Sequence, residues 1–328
     1  MTYQEFVIKM QNRLNYRQKQ SGNVYSVSAE TVEKIQASYY GLLISVSTIS
    51  DAKWGINLKP YYFEFLESKV SMDDMVDRID RRICYEIEHL PKYDLSNIKD
   101  YEYVKNHLGL QVINMEKNQE FLKNIPYTQI ADLALVYRIF IDQNICALIN
   151  NNMLKRYGIS KEQLHSDAIS HDQREKPCFI KKMEEVLKEL LKKILQDKEM
   201  PKEKREEMKN KLAKVENDPP LQMYIAGIDG VYGASVIARP DFLEKATQLM
   251  GGDFYVIPSS IHEVIILKDK HQGSIREIEE TIWEENMLNV SEEDFLSNNL
   301  YHYDSSDHIF ETAAGYEQRM KNGPEMLM

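Results

Sequence analysis

The apolar runs of this chain are short, and several follow one another after only a few residues. The runs LQVINM, DLALVYRIFI, FYVIP and HEVIILK are rich in β-branched and aromatic residues, which is typical of strands. A connection of a few residues joins antiparallel strands, whereas parallel strands need a crossover of about a dozen residues or more. The pattern therefore predicts an α+β fold with mixed, mainly antiparallel sheets and flanking helices.

Helix-start signals complete this prediction. Thr2 and Glu5 have capping-box spacing, and Ser71 precedes a stripe of apolar residues at helical spacing. Ser160 is the expected N-cap of a helix over SKEQLHSDAIS. The segment REIEETIWEEN predicts a helix whose carboxylates face water and whose apolar side faces the core; that side consists of Ile275, Ile278, Ile282 and Trp283.

Composition divides the chain into regions. We expect an N-terminal α+β region, a second α+β region with two related halves, a charged helical insertion between those halves, and a flexible tail. In the same order, these are 1–105, 106–310 (halves 106–172 and 221–310), 173–220 and 311–328.

The charged arm, residues 181–218, contains 12 Lys and Arg and 10 Asp and Glu, so its net charge is +2 whereas the whole chain carries −11. Leu and Ile recur along it at i, i+3 and i+4, which predicts a helical hairpin with a coiled-coil-like seam. One interpretation is a projecting arm that binds an unknown protein partner. The other is a solvated arm that packs on the protein's own core, and both stay open.

The second half of the chain contains a candidate internal repeat. Tyr137–Asp142 and Tyr224–Asp229 both read Y-x-x-x-I-D at an offset of 87 residues, and Ala147 corresponds to Ala234 at the same offset. Each copy predicts strand, turn, strand and a short helix, so the two would form a β-β-α duplication unless the match arose by chance. In that arrangement the aspartates belong to turns rather than to a catalytic site.

The most chemically suggestive stretch is PSSIHE, between FYVIP and EVIILK. Ser259, Ser260, His262 and Glu263 bring hydroxyl, imidazole and carboxylate groups together, as a binding site would. Catalysis needs the three kinds of group to converge, but on an extended strand His262 and Glu263 point to opposite faces. Ser260 and His262 share a face, so a Ser–His pair with a distant acid is conceivable. We expect a structural turn between two strands.

Metal and phosphate motifs are incomplete. His262-Glu263 lacks the second histidine of H-E-x-x-H, because position 266 is isoleucine. The stretch YHYDSSDH contains four potential ligands in a turn-like composition, His302, Asp304, Asp307 and His308. GIDGVYGAS fits neither glycine-rich phosphate motif, and Asp229-Gly230 predicts a hairpin turn. We therefore predict no metal and no cofactor.

Charge and cysteine usage restrict the environment. A net charge of −11 repels phosphate backbones, which disfavours a nucleic-acid partner. No apolar run approaches the roughly 18 residues of a membrane span, and MTYQEFVIKMQNRL lacks the apolar region of a secretory signal. The three cysteines form no C-x-x-C pair. These features predict a cytoplasmic protein without a membrane partner.

Longer stretches resemble a known family. INMEKNQEFLKNIPY, DLALVYRIFID, MLKRYGISKEQLH, GASVIARPDFLEKATQLMGGDFYVIPSSIHEVIIL and SNNLYHYD resemble a domain-of-unknown-function family that is common in gut Firmicutes. The resemblance runs from about residue 30 to 305, and DFYVIPSSIHEV is its most specific motif. Because that family has no assigned reaction, cofactor or partner, the resemblance implies a fold and a compartment but no chemistry.

We therefore expect a non-catalytic protein-binding or regulatory module. The alternatives are a hydrolase-like enzyme that uses Ser260 and His262, and a small-ligand sensor at the PSSIHE turn. A pocket at these two residues with a carboxylate beside the imidazole would favour the enzyme. A broad exposed apolar strip on the charged arm would favour the protein partner, and a closed apolar cavity beside the turn would favour the sensor.

Overall fold

The chain forms two compact units, Met1–Asp94 and Leu95–Met328. The computed structural model describes residues 1–46, 53–67, 70–89, 95–141, 146–197, 200–217, 222–258, 260–268 and 274–322. The sequence-based boundary is after residue 105, and the division between the units falls after Asp94.

The described residues of the first unit form three helices and a small sheet. Its elements are α1 Tyr3–Ser21, β1 Tyr25–Lys34, β2 Ala37–Val46, β3 Lys53–Ile56, α2 Lys59–Glu67 and α3 Met72–Glu88. The strands pair antiparallel in the order β1-β2-β3. Both expected helix starts are confirmed: Thr2 and Glu5 form a capping box at α1, and Ser71 forms one with Asp74 at α3.

One face each of α1 and α3 covers the core of the first unit. The core side chains from these helices recur at helical spacing, and they are Phe6, Val7, Met10, Leu14, Met75, Val76, Ile79 and Ile83. They pack with strand residues such as Leu42 and Ile44, which are fully buried. The alternation in the strands and the i, i+3, i+4 pattern in the helices therefore meet in one apolar layer.

The second unit contains nine described helices and ten described strands. Its helices are α4 Tyr101–Lys105, α5 Gln119–Leu122, α6 Asn151–Tyr157, α7 Lys161–Glu175, α8 Met183–Leu195, α9 Lys202–Asn217, α10 Pro240–Met250, α11 Ile275–Asn289 and α12 Ala313–Asn322. Its strands are β4 Leu108–Asn114, β5 Tyr127–Ile130, β6 Leu133–Phe140, β7 Cys146–Leu148, β8 Cys178–Lys182, β9 Met223–Ile228, β10 Phe254–Pro258, β11 Glu263–Lys268, β12 Tyr301–Asp304 and β13 Ile309–Thr312. Ser160 caps α7, as expected.

The described strands of this unit form two antiparallel sheets. β4 pairs with one edge of β6, while β5 and β7 pair with successive parts of its other edge. The larger sheet has the order β13-β12-β10-β11-β9-β8, and its described neighbours are also antiparallel. The prediction of an α+β fold with mainly antiparallel sheets and flanking helices is confirmed.

The larger sheet has two differently covered faces. Val256, Val264 and Ile266 point into the main core of the unit. The alternate residues of β10 and β11 face the other side, where α11 packs on the sheet; Ile257, for example, contacts the cluster around Ile282. Trp283 is 52% exposed, so its predicted orientation toward the core is wrong. We call this side of the sheet, on which α11 packs, the outer face. It lies beside the PSSIHE turn.

The charged arm occupies the connection between β8 and β9. These strands are antiparallel neighbours, with Lys182 opposite Tyr224. Both α8 and α9 lie in that connection and contact each other, and α8 also contacts β8 and β9. Leu191 and Met208 are buried. Topologically, β8 and β9 form a hairpin in which the helical arm replaces the usual tight turn.

The two copies of the candidate repeat differ in structure. The first copy contains β6, β7 and α6, and Asp142 lies outside the described residues. The second contains β9, then a 3₁₀ segment over Gly233–Ala238, then α10. The predictions of a strand at ASVIA and of a hairpin turn at Asp229-Gly230 are therefore wrong. A Cβ on Gly233 would lie 2.2 Å from the carbonyl oxygen of His262, so tertiary packing shapes this segment despite its β-branched residues.

The C-terminal segment contains regular structure up to Asn322. Residues 313–322 of the expected tail form α12, and 323–328 lie outside the described residues. Arg319 of α12 donates hydrogen bonds to Asp304 at 2.8 Å and to Glu311 at 2.9 Å. Within the described ranges, no helix combines the length and apolar character that crossing a membrane requires.

Candidate functional site

The PSSIHE stretch connects β10 to β11, which pair antiparallel from Phe254 opposite Lys268 to Pro258 opposite Val264. The Ser260 hydroxyl accepts a 3.0 Å hydrogen bond from the backbone N–H of His262. The backbone N–H of Ser260 donates to the Glu263 carbonyl at 3.3 Å. The Ser260 hydroxyl thus stabilises the turn, because it takes the place of a backbone carbonyl as the acceptor for the His262 N–H.

Backbone hydrogen bonds fix the middle of the turn to two other segments. The N–H of Ile261 donates to the carbonyl of Asp294 at 2.9 Å, and the carbonyl of Ile261 accepts from Ala234 at 3.2 Å. Close packing adds to this attachment, because the carbonyl of His262 lies where a Cβ on Gly233 would stand. The turn is therefore held on both sides.

The His262 imidazole has a partner at each nitrogen. Its Nδ1 accepts a 3.3 Å hydrogen bond from the backbone N–H of Tyr232, which assigns the remaining ring proton to Nε2. Nε2 lies 3.3 Å from Oδ1 of Asp294. The other carboxylate oxygen of Asp294 accepts from the Ser291 hydroxyl at 2.7 Å. Asp294 thus supplies the carboxylate beside the imidazole that sequence reasoning sought among distant acids.

This arrangement differs from a nucleophile–base–acid set in one decisive respect. A general base must have a nitrogen available to take the proton of the hydroxyl nucleophile. Both imidazole nitrogens of His262 are directed at Tyr232 and Asp294, while Ser260 binds a backbone N–H. Glu263 pairs with Gly227 in the strand ladder. Ser259 lies outside the described residues.

Tyr232 carries backbone strain beside this histidine. Its φ of 63° lies in the left-handed region, which costs a bulky residue about 1–3 kcal/mol. The guanidinium of Arg138 lies 4.8 Å from the centroid of the Tyr232 ring, and the ring of His262 lies nearly parallel to it. Arg138 itself donates to Gln111 at 2.6 Å and to the Cys146 sulfur at 3.3 Å. These contacts hold the conformation in which the Tyr232 N–H reaches His262.

An apolar pocket lies on the other side of the turn, between the outer face of the larger sheet and α11. Its volume is about 460 Å³. The sheet supplies aliphatic and proline side chains, and α11 supplies a mixed wall. The described lining residues are Met223, Ile257, Pro258, Ile265, Leu267, Ile278, Thr281, Ile282, Glu285, Asn286, Asn289 and Val290. The volume and the apolar lining are typical of small-molecule sites, which measure about 300–1,000 Å³.

The polar side chains of the pocket are concentrated on α11. Thr281, Glu285 and Asn289 are exposed and stand at the mouth. Asn286 is 8% exposed, and its side-chain nitrogen donates to the carbonyl of Ser297 at 3.0 Å and to Asn298 at 2.9 Å. These two hydrogen bonds hold the last turn of α11 in place. They fix this wall of the pocket from its outer side and leave the ligand space open.

A second polar cluster is centred on a buried arginine. Arg239 is completely buried and contacts Asp172, Asp241 and the Lys176 carbonyl at 3.1, 2.8 and 2.7 Å. Burial acts to raise the pKa of Asp241, but hydrogen bonds from Arg239 and Gln173 hold it below its ordinary value. Burial likewise opposes the charge of Arg239, yet Asp241 and Asp172 raise its pKa. The network ties α7 to the start of α10.

The four potential ligands of YHYDSSDH do not converge. His302 is buried against the rings of Tyr255 and Tyr316. Asp304 and Asp307 both accept hydrogen bonds from Arg319. His308 lies 3.1 Å from the Tyr303 hydroxyl. Within the described ranges, no three His, Cys, Asp or Glu side chains are grouped as a metal site would require.

Comparison with protein families identifies the chain. The family model of DUF5688, a family of unknown function, matches residues 3–305. The chain belongs to DUF5688. The predicted resemblance to a family of unknown function is thereby confirmed, and the DUF5688 match spans the first unit, the PSSIHE turn and α11. No curated protein and no solved structure matches the chain.

Sequence reasoning on this DUF5688 chain found part of the site. It singled out Ser260 and His262, but it did not find Asp294, Tyr232 or Glu285. Asp294 has a local signal, because Ser291 precedes it by three residues and bonds both its backbone N–H and its carboxylate. Tyr232 and Glu285 have no such signal, since strain and pocket position arise only when distant segments pack together.

Proposed function

We propose that this protein is a non-catalytic regulatory protein that binds a small, largely apolar ligand in the pocket between the larger sheet and α11. The supporting observation is the pocket beside Pro258, with about 460 Å³ of space and aliphatic walls from β9, β10 and β11. Binding is favourable when a hydrocarbon group replaces water against apolar surface of this kind. The sequence-based criterion for the sensor is a closed apolar cavity beside the turn; this pocket is apolar, and it opens to solvent beside the exposed residues of α11.

The hydrolase alternative receives less support from the turn. Its base would be His262, whose nitrogens are directed at Tyr232 and Asp294. Its nucleophile would be Ser260, whose hydroxyl accepts a backbone hydrogen bond. Both side chains therefore stabilise the turn. A regulatory protein needs a rigid pocket wall of this kind, and it does not need a reactive serine.

Binding of a protein partner through residues 181–218 stays a prediction. Among the described residues of the arm, Leu190 is the large apolar side chain that is clearly exposed, at 51%. Leu191 and Met208 are buried. A partner interface would need a broader apolar strip, so the pocket is the better supported binding site.

We also propose that the protein is cytoplasmic. Cys84, Cys146 and Cys178 are all free and half-buried. Free, scattered cysteines fit a reducing compartment, where structural disulfides are rare.

The pocket proposal predicts that a bulky side chain at Thr281 blocks binding. Thr281 is an exposed pocket residue, so Thr281→Trp places an indole in the ligand space without changing the core. The neutral fluorophore N-phenyl-1-naphthylamine serves as the probe, and its emission increases in an apolar site. We expect saturable binding to the parent protein and affinity at least about tenfold weaker in Thr281→Trp.

Glu284→Trp is the matched control, because Glu284 is an exposed residue of the same helix outside the pocket lining. It adds the same chromophore and should change probe affinity by less than about twofold. The pocket proposal is wrong if the parent protein does not bind the probe, or if both tryptophan variants bind it equally well.

A further inference from the structure

The charges around the pocket restrict the chemistry of its occupant. Among the described lining residues, Glu285 is the single charged side chain. The remaining polar groups, on Thr281, Asn286 and Asn289, are neutral. The pocket mouth is therefore negative, whereas its interior is aliphatic.

Two cations near α11 and β11, Arg276 and Lys268, do not line the pocket. Arg276, on the same helix, pairs with Glu280 at 3.0 Å. The ammonium of Lys268 lies 3.8 Å from the Cβ position of Gly251, at the end of α10 and not in the pocket lining. Glu285 accepts a 2.7 Å hydrogen bond from the neutral side chain of Asn289. A carboxylate has about four acceptor positions, so Glu285 keeps capacity for a ligand cation.

The geometry of the walls gives the ligand a direction. Ile265 and Leu267 follow one another along the outer face of β11, and Met223 stands opposite Leu267 on β9. A hydrocarbon chain laid against these side chains would be removed from water. Its polar end would then reach the exposed side of α11, where Glu285 and Asn289 stand.

From these observations we propose that the pocket binds an aliphatic primary amine, with its hydrocarbon chain on the sheet and its ammonium group at Glu285. This inference rests on the pocket function proposed above and adds the ligand's charge. A fatty-acid carboxylate of the same length would meet Glu285 as a like charge and bind more weakly. Because Glu285 is exposed, solvent screens the interaction, and the expected preference for the amine over a neutral analogue is about threefold.

Three eight-carbon compounds test the charge preference. Octylammonium, 1-octanol and octanoate differ at the head group, and each competes with N-phenyl-1-naphthylamine for the parent protein at low ionic strength. We expect octylammonium to bind about threefold tighter than octanol and about tenfold tighter than octanoate. Physiological salt should reduce these ratios, because it screens exposed charges.

Glu285→Gln should reduce the ratio between octylammonium and octanoate to within about twofold, because it removes the charge and keeps the shape. Glu284→Gln removes a neighbouring charge outside the pocket lining, and it should leave most of the ratio intact. Retention of the full ratio in Glu285→Gln would overturn the inference.

The outcomes separate this inference from the pocket function. If the probe binds the parent protein and Thr281→Trp prevents its binding, the pocket function holds. If octanoate then competes as well as octylammonium, or none of the three compounds competes, the amine inference is wrong and the pocket function stands. If the probe itself does not bind, both fail.

Discussion

At the scale of single residues, Arg239 is a buried charge whose presence is explained by its contacts within the protein. Its guanidinium is fully buried and bonds two carboxylates and a backbone carbonyl. A buried, unpaired arginine would be very unfavourable, so the contacts with Asp172 and Asp241 are required for its burial. No ligand is needed to account for any of them. Perturbed pKa values at this cluster therefore indicate an ion network rather than a binding site.

Arg239→Met should lower the free energy of unfolding by about 3–5 kcal/mol, because it leaves the fully buried Asp172 without its main partner. Urea denaturation followed by circular dichroism measures the change. Arg276→Met removes an exposed pair with Glu280 and should cost less than about 1 kcal/mol.

A double variant examines the cause of that loss. If the unpaired charge is responsible, Asp172→Leu added to Arg239→Met should recover at least about 1 kcal/mol. A double variant no more stable than the single one would mean that lost packing, not the unpaired charge, dominates. The result decides whether the network is an electrostatic or a steric requirement.

At the scale of elements, local signals predicted most helix starts and strands. Thr2, Ser71 and Ser160 all cap helices, because capping depends on residues within one turn of the chain. The hairpin of β10 and β11 was also expected, since alternating apolar runs and a proline-serine turn lie next to each other in sequence.

The elements that sequence reasoning missed depend on distant partners. Gly233–Ala238 is β-branched in part, but it packs against the carbonyl of His262 and forms a 3₁₀ segment. Trp283 continues the apolar pattern of α11. The sheet contacts a narrower stripe of the helix than this pattern predicts, so Trp283 stays exposed. The same reason explains why sequence reasoning named a cavity beside the turn only as an alternative and did not find its lining residues, because the walls come from β9, β10, β11 and α11.

The turn between β10 and β11 makes a prediction about two side chains that have attracted a catalytic interpretation. Ser260→Ala removes the acceptor for the His262 N–H and should cost about 1 kcal/mol. His262→Ala removes the acceptor for the Tyr232 N–H and the contact with Asp294, and it should cost about 1–2 kcal/mol. Thermal melting of both variants measures these losses.

Ser306→Ala is a control for this pair, because Ser306 is an exposed serine in another turn. It should melt within about 1 °C of the parent protein. The structural interpretation of the turn is wrong if Ser260→Ala and His262→Ala melt like the parent protein while the binding of N-phenyl-1-naphthylamine is lost.

At the scale of the whole molecule, the chain builds separate apolar cores in its two compact units. In the second unit, the charged arm is a long insertion where the sheet would otherwise need only a short turn, because β8 and β9 are antiparallel neighbours that a few residues would suffice to connect. Lengthening such a connection costs little, since loop-closure entropy grows only slowly with length.

Replacement of residues 183–222 by a short Gly-Asn-Gly loop should therefore leave a folded chain. The loop would rejoin Lys182 to the start of β9 and keep every strand of the larger sheet. Because α8 and α9 contact each other, and the strand contacts of α8 are mainly with the edge strand β8 and its neighbour β9, the melting temperature should fall by no more than about 5 °C. Circular dichroism should show less helix and unchanged strand content.

A larger deletion, 178–222, gives the contrasting control. It also removes β8, and β9 then becomes an uncovered edge strand that can pair with other chains. We expect this chain to aggregate, whereas the 183–222 replacement stays monodisperse on a sizing column. If the 183–222 replacement aggregates as well, the arm protects the core of the second unit, and the helical hairpin is a structural cover rather than an addition to a complete sheet.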